Sequence, residues 1–165
     1  MTRIGILSDT HGYWDDSLDI YMGECDQIWH AGDIGDISIV EHMRELAAEV
    51  HAVSGNIDSG PVRRFCPELD VFDVENVRVA LTHIGGYPGR WQRGIPALIR
   101  REGVRLMVDG HSHITKVMFD PTLNVLHVNP GAAGRQGWHR VRTIVRLTID
   151  GDQMTDCEVI ELNPR

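Results

Sequence analysis

Residues 4–11 read Ile4-Gly5-Ile6-Leu7-Ser8-Asp9-Thr10-His11, an apolar run that passes directly into an aspartate and a histidine. Short continuous apolar runs are typical of strands that a parallel sheet buries on both faces. The run therefore predicts a buried strand, with Asp9 and His11 where that strand ends. Because these residues are two positions apart, both side chains point to one side of the backbone and can reach one metal ion.

The first third of the chain repeats this pattern of a strand followed by a polar residue. The predicted elements are a weak helix at 15–22, a strand at 27–30 before Gly32-Asp33, a clearer helix at 37–48 and a strand at 49–54 before Gly55-Asn56. This βαβαβ order predicts an open α/β sheet, in which binding sites lie at the carboxyl ends of the strands. We therefore expect Asp9, Asp33 and Asn56 to meet on one rim.

The second half of the chain has more strands and turn signals, and we expect it to be mostly antiparallel. The predicted elements are strands at 71–74 and 77–81, a helix at 95–102, and strands at 105–108, 114–119, 123–128, 141–149 and 153–161. Both halves together predict an α/β (α+β) fold in which two mixed β-sheets pack as a sandwich flanked by helices. The length of 165 residues predicts one domain over residues 1–165.

Composition excludes several classes of protein. The formal net charge of −8 argues against stable nucleic-acid binding, which needs a basic surface. The three cysteines form no Cys-x-x-Cys pair, so neither a zinc finger nor a thioredoxin motif is present. The first residues lack a secretion signal, and no apolar run is long enough to span a bilayer. We expect a cytoplasmic protein with reduced thiols and no membrane partner.

Metal-ligand residue types cluster near five predicted strand ends. Seven candidate ligands lie there: Asp9, His11, Asp33, Asn56, His83, His111 and His113. Each has an ordinary alternative, such as a helix cap for Asp33, a turn for Asn56 or a structural role for His83. Their joint occurrence favours a site, and seven ligands are more than one tetrahedral zinc ion uses. The set therefore predicts two divalent cations that share one carboxylate.

These motifs together resemble the calcineurin-like metallophosphoesterases, in particular their small single-domain phosphodiesterase branch. The resemblance runs from Ile4 to about Gly131 and rests on Asp-x-His, Gly-Asp, Gly-Asn, a lone His and Gly-His-x-His. It implies that one metal takes Asp9, His11, Asp33 and His113, and the other takes Asp33, Asn56, His83 and His111. Asp33 would bridge the two metals together with a water or hydroxide.

Two close metals imply in-line attack of a metal-bridging hydroxide on a phosphoester. The prediction is a phosphodiesterase rather than a monoesterase, acting on a small phosphoester, with Asp33 and Asn56 positioning hydroxide and phosphate. Manganese is the expected metal, and iron, zinc, nickel or cobalt also suit these mixed ligands. Arg90 and Arg93 are candidates for binding the phosphate oxygens, with surface solubility as the alternative.

Two nearby positions bear on the chemistry. Asp58 is either a hydrogen-bond acceptor behind the ligands or a solvated turn residue. Ile57 stands where larger family members have a histidine that is proposed to protonate the leaving group. Isoleucine cannot transfer a proton, so we expect the best activity on aryl phosphoesters, whose leaving group needs none.

Two other functions remain open at this stage. The retromer subunit that resembles this family uses the fold as a non-catalytic scaffold for partner proteins, but a scaffold has no need for a complete ligand set. A nuclease acting on small oligonucleotides or cyclic nucleotides would share the chemistry. A homodimer or higher homo-oligomer is also open, because the long C-terminal strands offer an edge for pairing.

Overall fold

A computed structural model describes residues 1–163, which contain twelve strands and four helices. The strands are β1 (Thr2–Leu7), β2 (Gln27–His30), β3 (Glu49–Ala52), β4 (Leu69–Val74), β5 (Val77–Thr82), β6 (Gly86–Tyr87), β7 (Arg90–Trp91), β8 (Leu106–Val108), β9 (Lys116–Asp120), β10 (Val125–Asn129), β11 (Thr143–Asp150) and β12 (Gln153–Glu161). The helices are α1 (Asp16–Met22), α2 (Ile37–Leu46), α3 (Gly60–Phe65) and α4 (Ile95–Glu102).

Ten of these strands form two five-stranded mixed sheets, which confirms the predicted fold class. The first sheet has the order β12-β11-β1-β2-β3, with β1, β2 and β3 parallel and β11 antiparallel to β1. The second has the order β4-β5-β8-β10-β9, with β5, β8 and β10 parallel. The expectation of a mostly antiparallel second half is therefore wrong for the centre of this sheet.

The two sheets pack face to face around a shared apolar core. Alternate residues of β1 and β5, such as Ile4 and Leu81, belong to this core and are fully buried. Helices α1, α2 and α3 pack on the outer face of the first sheet, and α4 packs on the outer face of the second. This layering leaves the carboxyl ends of the parallel strands of both sheets free of helices.

Local differences from the predicted elements have simple causes. Helix α2 ends at Leu46 rather than residue 48, because Ala47 is already extended (φ −131°, ψ 151°) on the way into β3. Helix α3 has six residues and the β6–β7 hairpin has two-residue strands, so neither is long enough to show a periodicity. Within residues 1–163, no helix has the length and apolar character that crossing a membrane requires.

Candidate metal centre

The loops that follow β1, β2, β3, β5 and β8 carry all seven predicted ligands to one rim of the two sheets. Their ligand atoms form two compact groups, and within each group the atoms lie within 4.8 Å of one another. The first group is Asp9, His11 and His113, and the second is Asp33, His83 and His111. The groups adjoin, since His11 Nε2 lies 3.6 Å from Asp33 Oδ2 and His83 Nε2 lies 3.9 Å from Asp9 Oδ1.

Three ligand atoms in this cluster are buried without a hydrogen-bond partner: Asp9 Oδ1, His11 Nε2 and His83 Nε2. An unpaired buried polar atom is costly, so native proteins rarely keep one without a reason. Carboxylate oxygens and imidazole nitrogens are the ligands that divalent transition metals prefer. The cluster therefore fits bound cations, which would satisfy all three atoms.

Hydrogen bonds behind the ligands orient their free atoms toward the cluster. His83 donates from Nδ1 to the carbonyl of Ala31 at 2.7 Å, so the free lone pair of the neutral ring is on Nε2, which lies 3.2 Å from Asp33 Oδ2. Asp33 accepts the backbone N–H of Ile57 on its other oxygen at 3.1 Å. Asn56 Oδ1 lies 3.2 Å from His111 Nδ1 and so adjoins the second group.

Asp9 is held in the same way. Its Oδ2 accepts the hydroxyl of Ser8 at 2.6 Å and the backbone N–H of His111 at 3.1 Å. Its Oδ1 remains free and lies 3.0 Å from His113 Nε2. One oxygen of Asp9 thus ties the loop after β1 to the loop after β8, and the other faces the first ligand group.

The backbone at the site is strained. Five of the seven candidate ligands have positive φ: Asp9 (56°), His11 (47°), Asp33 (54°), His111 (70°) and His113 (62°). L-residues avoid this conformation, and its concentration here points to function. Two neighbouring glycines allow the loops to approach, since a Cβ on Gly55 would collide with Asp33 Oδ1 and one on Gly110 with Ser8 Oγ.

The charges of the cluster hold the pKa values of its members apart. Burial alone would lower the pKa of His83, but the carboxylates of Asp33 and Asp9 raise it above its ordinary value. Burial opposes ionisation of Asp9 and Asp33, yet His113 and His83, respectively, hold the pKa of each carboxyl below its usual range. Ionised carboxylates at neutral pH are the form that binds a cation.

His30 supports the site from inside the core. Its Nδ1 accepts the backbone N–H of Gly32 at 3.1 Å, so its Nε2 donates to the hydroxyl of Thr10 at 2.9 Å. Burial lowers the pKa of His30 to about 4, so the ring is neutral at physiological pH. The contacts join the loop that carries Asp9 to the loop that carries Asp33.

Asp58 is a buried acceptor rather than a solvated residue. Its carboxylate accepts the backbone N–H groups of Ile34 at 3.1 Å, Gly35 at 2.9 Å and Gly55 at 2.8 Å. These donors belong to the two loops that carry Asp33 and Asn56. Asp58 therefore sets the distance between those loops without reaching the ligand atoms.

His139 contacts the candidate ligand His113, and no sequence motif points to it. Its Nε2 donates to the carbonyl of Gly134 at 2.8 Å, and its Nδ1 lies 3.3 Å from His113 Nδ1. With Nε2 protonated, Nδ1 of His139 is the acceptor, so His113 donates from Nδ1 and keeps Nε2 free to face Asp9. Only proximity in the folded chain relates these two residues.

Replacing His139 with phenylalanine is expected to weaken metal binding about 10- to 100-fold, because outer partners of metal-ligating histidines are typically worth that much. Glutamine at this position retains an acceptor and is expected to restore most of the loss. Metal titration of the depleted protein measures the effect. Equal affinities for His139→Phe and the unmodified protein would show that His139 does not orient His113.

Arg90 and Arg93 do not join either ligand group. Arg90 lies on β7 and lines a cavity with Trp91 and Phe119, to which none of the seven candidate ligands contributes. Arg93 is exposed and makes no ion pair within residues 1–163. The cation that shares a cavity with the ligand His111 is Lys116.

Comparison with known proteins shows which sequences and structures this chain is similar to. A sequence model of the calcineurin-like phosphoesterase superfamily domain matches residues 2–152. A probable metallophosphoesterase of Methanocaldococcus jannaschii is 29% identical to this chain, and the match covers 78% of this chain and 67% of the relative. A phosphodiesterase of the same organism is 24% identical, and that match covers 78% of this chain and 82% of the relative. Among solved structures, Vps29 from Entamoeba histolytica in complex with Zn²⁺ superimposes on this chain with a TM-score of 0.76 and 19% sequence identity. The superposition covers 98% of this chain and 99% of the Vps29 chain.

Proposed function

The chain belongs to the calcineurin-like phosphoesterase superfamily, and from that premise we propose that it is a phosphodiesterase that uses two divalent metal ions. The observation that carries this proposal is the pair of adjoining ligand groups, whose buried atoms have no other partner. One metal would be held by Asp9, His11, Asp33 and His113, and the other by Asp33, Asn56, His83 and His111. Asp33 lies beside ligands of both groups and is the proposed bridge.

When bound, divalent cations acidify water and neutralise charge on a phosphoryl group. The residues of the chain determine where that group binds. Asp9, Asp33 and His83 are buried, whereas Asn56 and His111 are exposed. The phosphoester therefore approaches over Asn56 and His111, and the amide of Asn56 is placed to orient its oxygens.

Of the cavities beside this approach, the two that His111 lines support a diester substrate. The Lys116 cavity has a volume of about 220 Å³ and is lined by Ile84, Tyr87, Lys116 and His127, among others. The Trp138 cavity has a volume of about 340 Å³ and is lined by His113, Trp138 and His139. Both are also lined by His111, Ser112 and Ile114. A diester carries two organic groups and can place one in each cavity, whereas a monoester leaves one empty.

The test is hydrolysis of bis-p-nitrophenyl phosphate and p-nitrophenyl phosphate by metal-depleted protein, before and after addition of manganese, nickel or zinc. We expect metal-dependent release of nitrophenolate, faster from the diester, with about two metals bound per chain at full activity. Protein that binds two metals and hydrolyses neither ester would favour the scaffold alternative. Likeness to Vps29 at 19% identity concerns the fold alone and does not favour that alternative.

Ile57 limits the range of leaving groups. Its backbone N–H donates to Asp33 Oδ1, so residue 57 adjoins the proposed bridge, and its exposed side chain has no proton to donate. We expect Ile57→His to accelerate hydrolysis of alkyl phosphodiesters by at least about tenfold, since general-acid help is typically worth about 10²- to 10⁴-fold. Aryl esters should change little. The ratio of alkyl to aryl rates measures the effect, and Ile57→Leu is the control. An unchanged ratio would mean that leaving groups depart on another side.

A further inference from the structure

We propose that the Lys116 cavity binds a nucleobase of the substrate, one with a ring N–H beside a carbonyl oxygen, so that the natural substrate is a nucleotide diester. This inference rests on the proposed phosphodiesterase function, because His111 lines the cavity and belongs to the second ligand group. A phosphate held over His111 would direct one of its two organic groups into the cavity.

The walls of the cavity suit a flat ring. Ile84, Tyr87 and Ile114 line it and are 39%, 37% and 64% exposed, which is high for large apolar side chains. Apolar side chains around a concavity, with a few convergent polar groups, are typical of small-molecule sites. Its volume of about 220 Å³ accommodates a single ring system rather than a long chain.

His127 supplies a polar atom that has no partner. It also lines the cavity, is 1% exposed, and its Nε2 lies 2.8 Å from the carboxylate of Asp109. Because a carboxylate accepts, Nε2 is the protonated nitrogen and Nδ1 is an acceptor. Within residues 1–163 nothing donates to that Nδ1, although it is buried. A buried acceptor that lacks a donor in the chain fits a ligand that provides an N–H.

Lys116 supplies a positively charged donor for the carbonyl oxygen of the base. It is the only lysine of the sequence. Its ammonium lies 4.1 Å from the centre of the Tyr87 ring and has no carboxylate partner among the described residues. It stands opposite Asn129 in the β9–β10 pair, at the end of the sheet that carries the ligand loops. An ammonium donates and an imidazole Nδ1 accepts, so together they match a carbonyl oxygen and the ring N–H beside it, as in thymine or uracil.

Two chromogenic diesters test this pairing with the metal-loaded protein: the p-nitrophenyl ester of thymidine 5′-phosphate and its N3-methyl analogue. Water adds to phosphorus, the bond to the nitrophenyl oxygen breaks, and p-nitrophenolate leaves from both. The analogue differs in lacking the ring N–H. We expect its KM to be about tenfold higher at similar kcat, because it leaves the buried acceptor unpaired.

Variants locate the effect in the cavity. In His127→Phe the two esters should have equal KM values. Lys116→Gln should raise the KM of the thymidine ester about threefold or more relative to the KM of bis-p-nitrophenyl phosphate. If His127→Phe does not fold, the Lys116→Gln variant still tests the cavity. Arg44→Gln removes an exposed cation on α2 as a matched control and should keep the wild-type preference. Hydrolysis of both esters with equal KM by the unmodified protein would overturn the nucleobase inference alone, whereas no hydrolysis of any diester would overturn the proposed function.

Discussion

Asp33→Ala is expected to reduce metal-dependent hydrolysis about 10³-fold or more, the largest loss of any single substitution in this chain. Asp33 Oδ2 is 3.2 Å from His83 Nε2 and 3.6 Å from His11 Nε2, so one side chain adjoins ligands of both groups. Its removal would deprive both proposed metals of a ligand, whereas loss of His83 would affect one. Metal content after dialysis should fall below two per chain.

Asp36→Ala is the matched control for this experiment. Asp36 lies three positions further on, is exposed, and caps α2 by accepting the backbone N–H of Ser38 at 2.9 Å. Loss of the cap is expected to cost about 1 kcal/mol of stability and to leave metal content and activity unchanged. Retention of two metals and full turnover by Asp33→Ala would refute the bridging role.

Asp58→Ala is expected to lower the free energy of unfolding by about 3 kcal/mol or more, the largest stability effect we predict. The substitution leaves three backbone donors without an acceptor, those of Ile34, Gly35 and Gly55, and each orphaned donor costs about 1–3 kcal/mol. Because these donors hold the loops with Asp33 and Asn56 together, hydrolysis should also fall. Urea unfolding measures the stability of the metal-free protein.

Two further substitutions serve as comparisons for the stability of Asp58→Ala. Asp58→Asn keeps one acceptor oxygen and should lose less stability than alanine. Asp73→Ala removes an exposed carboxylate paired with Arg78, and exposed pairs contribute about 1 kcal/mol or less. If Asp58→Ala were as stable as Asp73→Ala, water would be replacing the lost acceptor and the two loops would hold their positions without Asp58.

The strand predictions for the first third of the chain succeeded because local sequence decides them. The apolar runs at β1 and β2 are short and continuous, and each ends at a glycine or polar residue, so their ends were predicted closely. Strand β3 ends at Ala52 rather than at residue 54, because the backbone N–H of Ser54 turns away from β2 and donates to the carbonyl of Pro67 at 2.8 Å. Parallel strands bring their carboxyl ends to one edge of a sheet, which is why the sequence alone predicts that Asp9, Asp33 and Asn56 lie together.

Other features depend on contacts between segments far apart in the chain. His139 and His113 are 26 positions apart and meet only through folding of the segment between β10 and β11. His127 and Lys116 carry no motif, and their interest arises from an unpaired buried nitrogen and a shared cavity. Arg90 and Arg93 follow Gly85-Gly86 and the candidate ligand His83 closely in sequence, but the β6–β7 hairpin places Arg90 on another cavity.

By itself the sequence predicted the candidate ligands and determined the kind of sheet that carries them. The pattern of apolar residues predicts the strands, and a loop follows the end of each strand. Because the ends of parallel strands lie along one edge of a sheet, ligand-type residues at successive strand ends are predicted to lie together on that edge. Only the tertiary structure decided which ligands group together, which of their atoms remain free and which outer residues orient them. Those properties depend on distances of a few ångströms between β1, β8 and the loop before β11, and packing of the two sheets sets these distances.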